Sequence, residues 1–219
     1  MKASVFAAII CAGITASGYA AGKKVDITTF PAKDVAGISV HTASGDIYID
    51  TQKRTDIQVE QLPDNKTACD VSMEVIDGTL TLKAIEKDGV HGNIKTGFRV
   101  HLPAALPALT DTVSGDIKVS DLAAPVKAKS VSGAIKLTGI TGAVDAETTS
   151  GDIRLAKVQG PVRAETVSGD IHGAFAKNTQ LTVKATTTSG KVRNDFAGKS
   201  GIAVSAHTVS GDISIIKAH

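Results

Sequence analysis

Four aspartates that each follow a Ser-Gly pair, Asp116, Asp152, Asp170 and Asp212, are the residues best placed by type and spacing to do chemistry. Asp152 and Asp170 lie 18 residues apart in a chain whose period is also 18. Successive turns of a wound chain would set their carboxylates one strand spacing apart, about 5 Å. A retaining glycosidase holds its two carboxyl groups about 5–5.5 Å apart, and paired carboxylate oxygens also suit Ca²⁺. An aspartate that recurs with a turn has a simpler use, because its carboxylate accepts backbone N–H bonds at the corner. Ala134 and Lys191 interrupt the column, and Lys118, Lys136, Arg154, His172 and Arg193 stand two residues beyond its members. Those cations would neutralise the carboxylates and compete with a metal. A structural ladder is therefore the expectation, with cation binding and catalysis as the alternatives. No catalytic residue, metal or cofactor is assigned.

Other side chains point the same way. The histidines His41, His91, His101, His172, His207 and His219 have no metal-ligand spacing, and there is no Gly-rich phosphate loop. Trp is absent, and Tyr48 is the only tyrosine after the first 20 residues, so no aromatic platform for stacking sugars is in view. With 24 basic and 22 acidic residues the formal charge is only +2, without a basic block, which argues against nucleic acid as a partner. Lys127, Asp145 and Arg163 recur at one position of the period, and Lys129, Glu147 and Glu165 at another. Opposite charges meeting on neighbouring strands contribute about 0.2–1 kcal/mol each, which describes a self-complementary, solvated face.

The element that positions all of these is a repeat. A spaced series of Ser-Gly pairs runs through Gly45, Gly115, Gly133, Gly151, Gly169, Gly190 and Gly211, five times as Ser-Gly-Asp-Ile, with steps of 18, 18, 18, 21 and 21 from Gly115 onward. A fixed period near 20 marks a chain that winds one unit upon the next. Each coil opens with an alternating strand, as in Ile135-Lys136-Leu137, and closes with another, as in Val144-Ala146-Thr148. Period-two alternation turns the aliphatics inward and the charges outward. The expected fold is all-β, a single-stranded β-helix or β-solenoid. Regular coils span 111–219, and an irregular β cap of degenerate coils and hairpins spans 21–110. The corner glycines are the natural place for a positive φ. Phe175 and Phe196 occur in the longer coils, where they are expected to fill a wider interior.

The first 20 residues read as an export signal: Lys2, an uncharged and mostly apolar stretch from Ala3 to Ala16, then a cleavage site at Gly18-Tyr19-Ala20. Removal would leave Cys69 as the sole thiol, so no internal disulfide is expected. At the other end the chain stops within a strand, at Ile215-Ile216-Lys217-Ala218-His219, and a bare C-terminal edge there is a candidate for self-association or partner docking.

The segment around Ser44-Gly45-Asp46-Ile47, then Asp77-Gly78-Thr79-Leu80, then Leu102-Pro103 ahead of the regular repeats, resembles a bacterial putative-adhesin family of unknown function built from SGDI-type β-strand repeats. The resemblance spans nearly all of the chain beyond the export signal. It implies a right-handed β-helix exposed in or beyond the cell envelope and carries no catalytic residues. The function expected is an exported, non-enzymatic scaffold, adhesin-like or interaction module whose partner is an envelope protein or an extended surface polymer. A polysaccharide-acting enzyme using the aspartate column, or an accessory of envelope-stress signalling, are the alternatives.

Overall fold

The computed structural model describes residues 14–20, 23–62, 69–86, 96–198 and 200–218. Its strands, in chain order, begin with β1 (Ile14–Ala20), β2 (Lys23–Pro31), β3 (Gly37–Ser44), β4 (Ile47–Thr51), β5 (Asp56–Gln61), β6 (Cys69–Ile76), β7 (Thr79–Glu86) and β8 (Phe98–Leu102). The regular part follows as β9 (Ala108–Ser114), β10 (Ile117–Ser120), β11 (Val126–Ser132), β12 (Ile135–Thr138), β13 (Val144–Ser150), β14 (Ile153–Ala156), β15 (Val162–Ser168) and β16 (Ile171–Phe175). The last four are β17 (Leu181–Ser189), β18 (Val192–Asn194), β19 (Ile202–Ser210) and β20 (Ile213–Lys217). Each coil gives one strand to each of two sheets, with the Ser-Gly-Asp corner between them.

Within the central coils the alternation sets the register. Ile117, Ile135, Ile153 and Ile171 stack in parallel along one sheet. Val126, Val144 and Val162 stack along the other, as do Ala128, Ala146 and Ala164. The isoleucines have no exposed surface and the alanines none either. Burying an Ile or Leu stabilises by roughly 1.5–3 kcal/mol, repeated at each rung, while the alanines mark where the coil is too thin for a larger side chain. At the opposite corner of each coil the chain turns through the left-handed region, at Asp121 (φ 58°), Gly139 (φ 70°) and Lys157 (φ 53°). The positive φ expected at the Ser-Gly corner is present at Gly45 (φ 157°), Gly169 (φ 158°), Gly190 (φ 158°) and Gly211 (φ 149°), and Gly115, Gly133 and Gly151 do without it.

Rung order departs from chain order at both ends. One sheet runs β17-β19-β15-β13-β11-β9-β3-β7-β6 and the other β1-β2-β5-β8-β4-β10-β12-β14-β16-β20-β18. The coil β17–β18 therefore skips a rung, and the final coil β19–β20 returns to fill the gap against β15 and β16. Skipping one rung requires a rise of about 10 Å instead of about 5 Å, and the coils that do so are the 21-residue ones. Their extra residues carry the crossing. Phe175 and Phe196 do fill the interior there, meeting edge to face with centroids 6.3 Å apart. The bare C-terminal edge expected from the sequence is corrected by this topology: β20 is paired on both sides, and the open strands at this end are β17 and β18.

The N-terminal end uses the same device. The coil β3–β4 lies between β9–β10 and β7–β8. Beyond it the stack is closed by antiparallel strands, β6 on β7 and β5 on β8, with the β6–β7 hairpin turning at Asp77 (φ 49°) and Gly78 (φ 74°). Val71, Met73 and Val75 of β6 pack against the core. Cys69 is buried and free. Of the expected export signal, residues 1–13 lie outside the described residues, and Ile14–Ala20 forms β1, an outer strand added antiparallel to β2. No helix among the described residues is long and apolar enough to cross a membrane.

Candidate functional site

The Ser-Gly-Asp corner resolves into three interlocking contacts. The glycine permits close approach: a Cβ at Gly133, Gly151 or Gly169 would stand 1.9–2.1 Å from the carbonyl oxygen of the corner glycine one rung below. That carbonyl then accepts a hydroxyl from the rung above, Ser130 to Gly115 (3.4 Å), Thr148 to Gly133 (3.2 Å), Thr166 to Gly151 (3.1 Å) and Thr208 to Gly169 (3.1 Å). The donors sit at the last inward position of their strands and are buried. They satisfy oxygens that would otherwise lose water without replacement, at a cost of about 1–3 kcal/mol each.

The aspartates complete the corner. Asp116 Oδ1 accepts the backbone N–H of Ala134 (3.0 Å), Asp152 Oδ1 that of Asp170 (3.0 Å), Asp170 Oδ1 that of Asp212 (2.7 Å) and Asp212 Oδ1 that of Lys191 (2.7 Å). Asp46 belongs to the same ladder, its Oδ1 accepting from Asp116 N (2.9 Å), although its distance from the regular repeats hid it in the sequence. Every sequence-assigned aspartate thus reaches the next rung in space, and Asp212 reaches back to Lys191 because the last two coils are exchanged. The second oxygens face cations: Asp152 Oδ2 accepts from Arg154 (2.7 Å), and Asp116 Oδ2 lies 3.9 Å from Lys118. At the start of the ladder Tyr48 donates to Asp46 Oδ2 (3.0 Å) and its ring is flanked by Arg99 and Lys118. Burial, joined by the Asp46 carboxylate, raises the Tyr48 phenol above its ordinary value. Carboxylates committed to backbone on one oxygen, and in part to cations on the other, are built to hold rungs together.

One rung lacks the device. Ala134 supplies no acceptor for the N–H of Asp152, and Lys136 stands where Lys118 and Arg154 stand beside their aspartates. Ala134→Asp is expected to add about 1 kcal/mol of stability through one charge-assisted bond, read as a rise in melting temperature. A fall would mean that repulsion from Asp116 and Asp152 outweighs the new bond.

The outward face of the second sheet carries different chemistry. Lys127 lies 2.9 Å from Asp145, Lys129 2.6 Å from Glu147, and Arg163 bridges Asp145 (3.1 Å), Glu147 and Glu165 (2.7 Å). Burial pushes Asp145 up, but Lys127 and Arg163 outweigh it and hold the carboxyl below its ordinary value. The bond from Lys129 holds Glu147 down, and the same bond holds Lys129 up. Lowered carboxylates stabilise the fold above their unfolded values and lose that contribution as pH falls through the folded ones. The melting temperature should therefore be level near neutrality and drop below pH of about 4. The drop should shrink in Lys129→Gln, since exposed pairs contribute about 0.2–1 kcal/mol each.

Beside this charged zipper runs a column that the sequence reading missed: Val113, Val131, Thr149, Val167 and Val209, one residue before each Ser of the corner. The four valines are 42–54% exposed. The recurrence of Thr-Val-Ser-Gly or Ser-Val-Ser-Gly was the available signal, since an inward Thr or Ser puts its Val outside. Val131, Thr149, Val167 and Val209 together with Lys129, Glu147, Glu165 and His207 line a shallow groove along the sheet.

This architecture defines a class: a two-sheet β-solenoid whose signature residues hold rung to rung. The chain belongs to the Toastrack (DUF4097) family, whose model matches residues 27–218. Among solved structures it is similar to a putative cell adhesion protein from Clostridium sporogenes ATCC 15579, at 15% identity and TM-score 0.53, over 89% of this chain and 99% of that one. It is also similar to a putative adhesin from Bacteroides fragilis NCTC 9343, at 19% identity and TM-score 0.51, over 91% of this chain and 100% of that one. No curated protein sequence matches it. These likenesses establish the fold.

Proposed function

We propose that the protein is an exported, non-enzymatic interaction module of the cell envelope, which meets its partner through the outward face of the second sheet. The observation that carries this is a division of labour. The recurring aspartates and buried hydroxyls are bonded to backbone. The Val131-Val167-Val209 column and the Lys129-Glu147-Glu165 row are presented to solvent at strand spacing. A row of β-branched side chains beside a row of fixed charges suits an extended partner lying across the strands, because side chains of one kind recur at strand spacing. Two of the solved structures it resembles carry the names putative cell adhesion protein and putative adhesin, which fits the same reading.

The test is chemical cross-linking on intact producing cells, with capture of the tagged protein, for the wild type and for Val131→Glu/Val167→Glu. Both sites face solvent, so the variant should melt like the wild type. The wild type is expected to capture a defined envelope component and the variant to lose it. Equal capture by both would remove the valine face from the interface, and capture of nothing from intact cells would overturn the interaction role.

A further inference from the structure

We propose that the open end of the solenoid is closed by a second copy of this chain, with β17 pairing antiparallel with its own equivalent across a two-fold axis. The two ends of the stack are built differently. At the N-terminal end antiparallel strands cover the last rungs, with Val71, Met73 and Val75 packed on the core. At the other end, among the described residues, β17 is hydrogen-bonded to β19 alone and β18 to β20 alone. The inward residues of this last rung are uncovered: Val192 is 46% exposed where Ile213, its neighbour on the rung below, is 1% exposed. Val183 and Ala185 are half-buried where Val204 and Ala206 are buried. A nine-residue edge with an open apolar floor is a template for another strand.

The occupant follows from complementarity. Lys184 is the one charge on β17. In antiparallel self-pairing centred on Ala185, Lys184 faces Thr186, Thr182 faces Thr188 and Val183 faces Thr187, so no like charges meet and threonines pair with threonines. The same geometry centred on Asn194 sets the Arg193–Asp195 pair of one copy (3.2 Å) against the reciprocal pair of the other, so opposite charges meet. The isologous arrangement lets one surface serve both copies and brings both open strands, β17 and β18, to their own equivalents at once.

The pairing of Lys184 with Thr186 supplies the test. Sedimentation equilibrium of the purified protein is compared with Thr186→Lys, which opposes two lysines at each of the two symmetric positions, and Thr186→Glu, which opposes lysine and glutamate. Both variants lose the same bond from Thr186 Oγ1 to His207 Nδ1 (2.9 Å), so any common effect on the rung is matched. The wild type is expected to dimerise, Thr186→Lys to weaken the dimer at least about tenfold and Thr186→Glu to tighten it, as opposed like and unlike charges dictate. A wild type that stays monomeric up to about 100 µM, weaker than any functional self-affinity of micromolar order, would overturn the proposal. So would two variants that shift the equilibrium in the same direction.

Discussion

Gly151→Ala should lower the melting temperature by roughly 6–12 °C, the equivalent of about 3 kcal/mol in a chain of this size. Its added methyl carbon would stand 2.1 Å from the oxygen and 2.7 Å from the carbon of the Gly133 carbonyl. That carbonyl is held in place, accepting from Thr148 Oγ1 (3.2 Å), and the two rungs are joined by Gly133 N to Ser150 O (3.2 Å) and Ile135 N to Asp152 O (2.9 Å). Relief therefore means parting two coils and giving up the bonds that join them. The neighbouring Ser150→Ala is the control, since that serine sits in an exposed column and its loss should stay within about 0.5 kcal/mol. A Gly151→Ala protein that melts with the wild type would show that the corner does not stack as described. The reason for glycine here is the approach of one backbone to the next, and valine or any other residue with a Cβ should fail for the same cause.

Deleting residues 199–219 should cost the solenoid two coils. β17 is bonded to β19 and β18 to β20, so removing the last coil leaves both without a rung beneath them. In a stack that followed chain order, β17 would rest on β15 and survive the deletion. Hydrogen exchange separates the two: the amides of Leu181–Ser189 should lose protection by at least about a hundredfold, toward the rates of a frayed segment. Proteolysis should open the chain between 176 and 198. Retained protection of β17 would mean that it can occupy the vacant place on β15, and the exchanged order would then be a preference of the full chain instead of a requirement. The core rungs from β9 to β14 should be untouched in either case, because in a solenoid each coil contacts only its neighbours.

The corner motif was legible because its parts are local. The spacing of Ser-Gly-Asp placed Gly133, Gly151 and Gly169 in one column, and the outward cations at Lys118 and Arg154 marked the aspartates as partly neutralised before any contact was seen. The turn conformation expected of the glycine holds at Gly45, Gly169, Gly190 and Gly211, while its clearance from the next backbone stayed hidden, since a sequence shows where a Cβ is missing but not what lies in its place. Asp46 was overlooked because some 70 residues of other strands separate it from Asp116, its neighbour in space. The valine column escaped for the opposite reason. Val is read as a core residue, and only the inward pointing of Thr112, Ser130 and Thr166 shows that Val113, Val131 and Val167 face water.

What the sequence alone determined is the rung: two short strands, which side chains point in, the glycine corner and the ladder aspartate. Alternation and spacing dictate these within a single coil, whatever its neighbours are. What only the tertiary structure decided is the order of rungs and the location of the open edge. Each coil offers its neighbours nearly the same Val, Ala, Gly and Ile, so β15 could accept β17 or β19 in equal register. The choice falls to the crossings between coils, whose three extra residues let the chain pass over one rung and return to fill it.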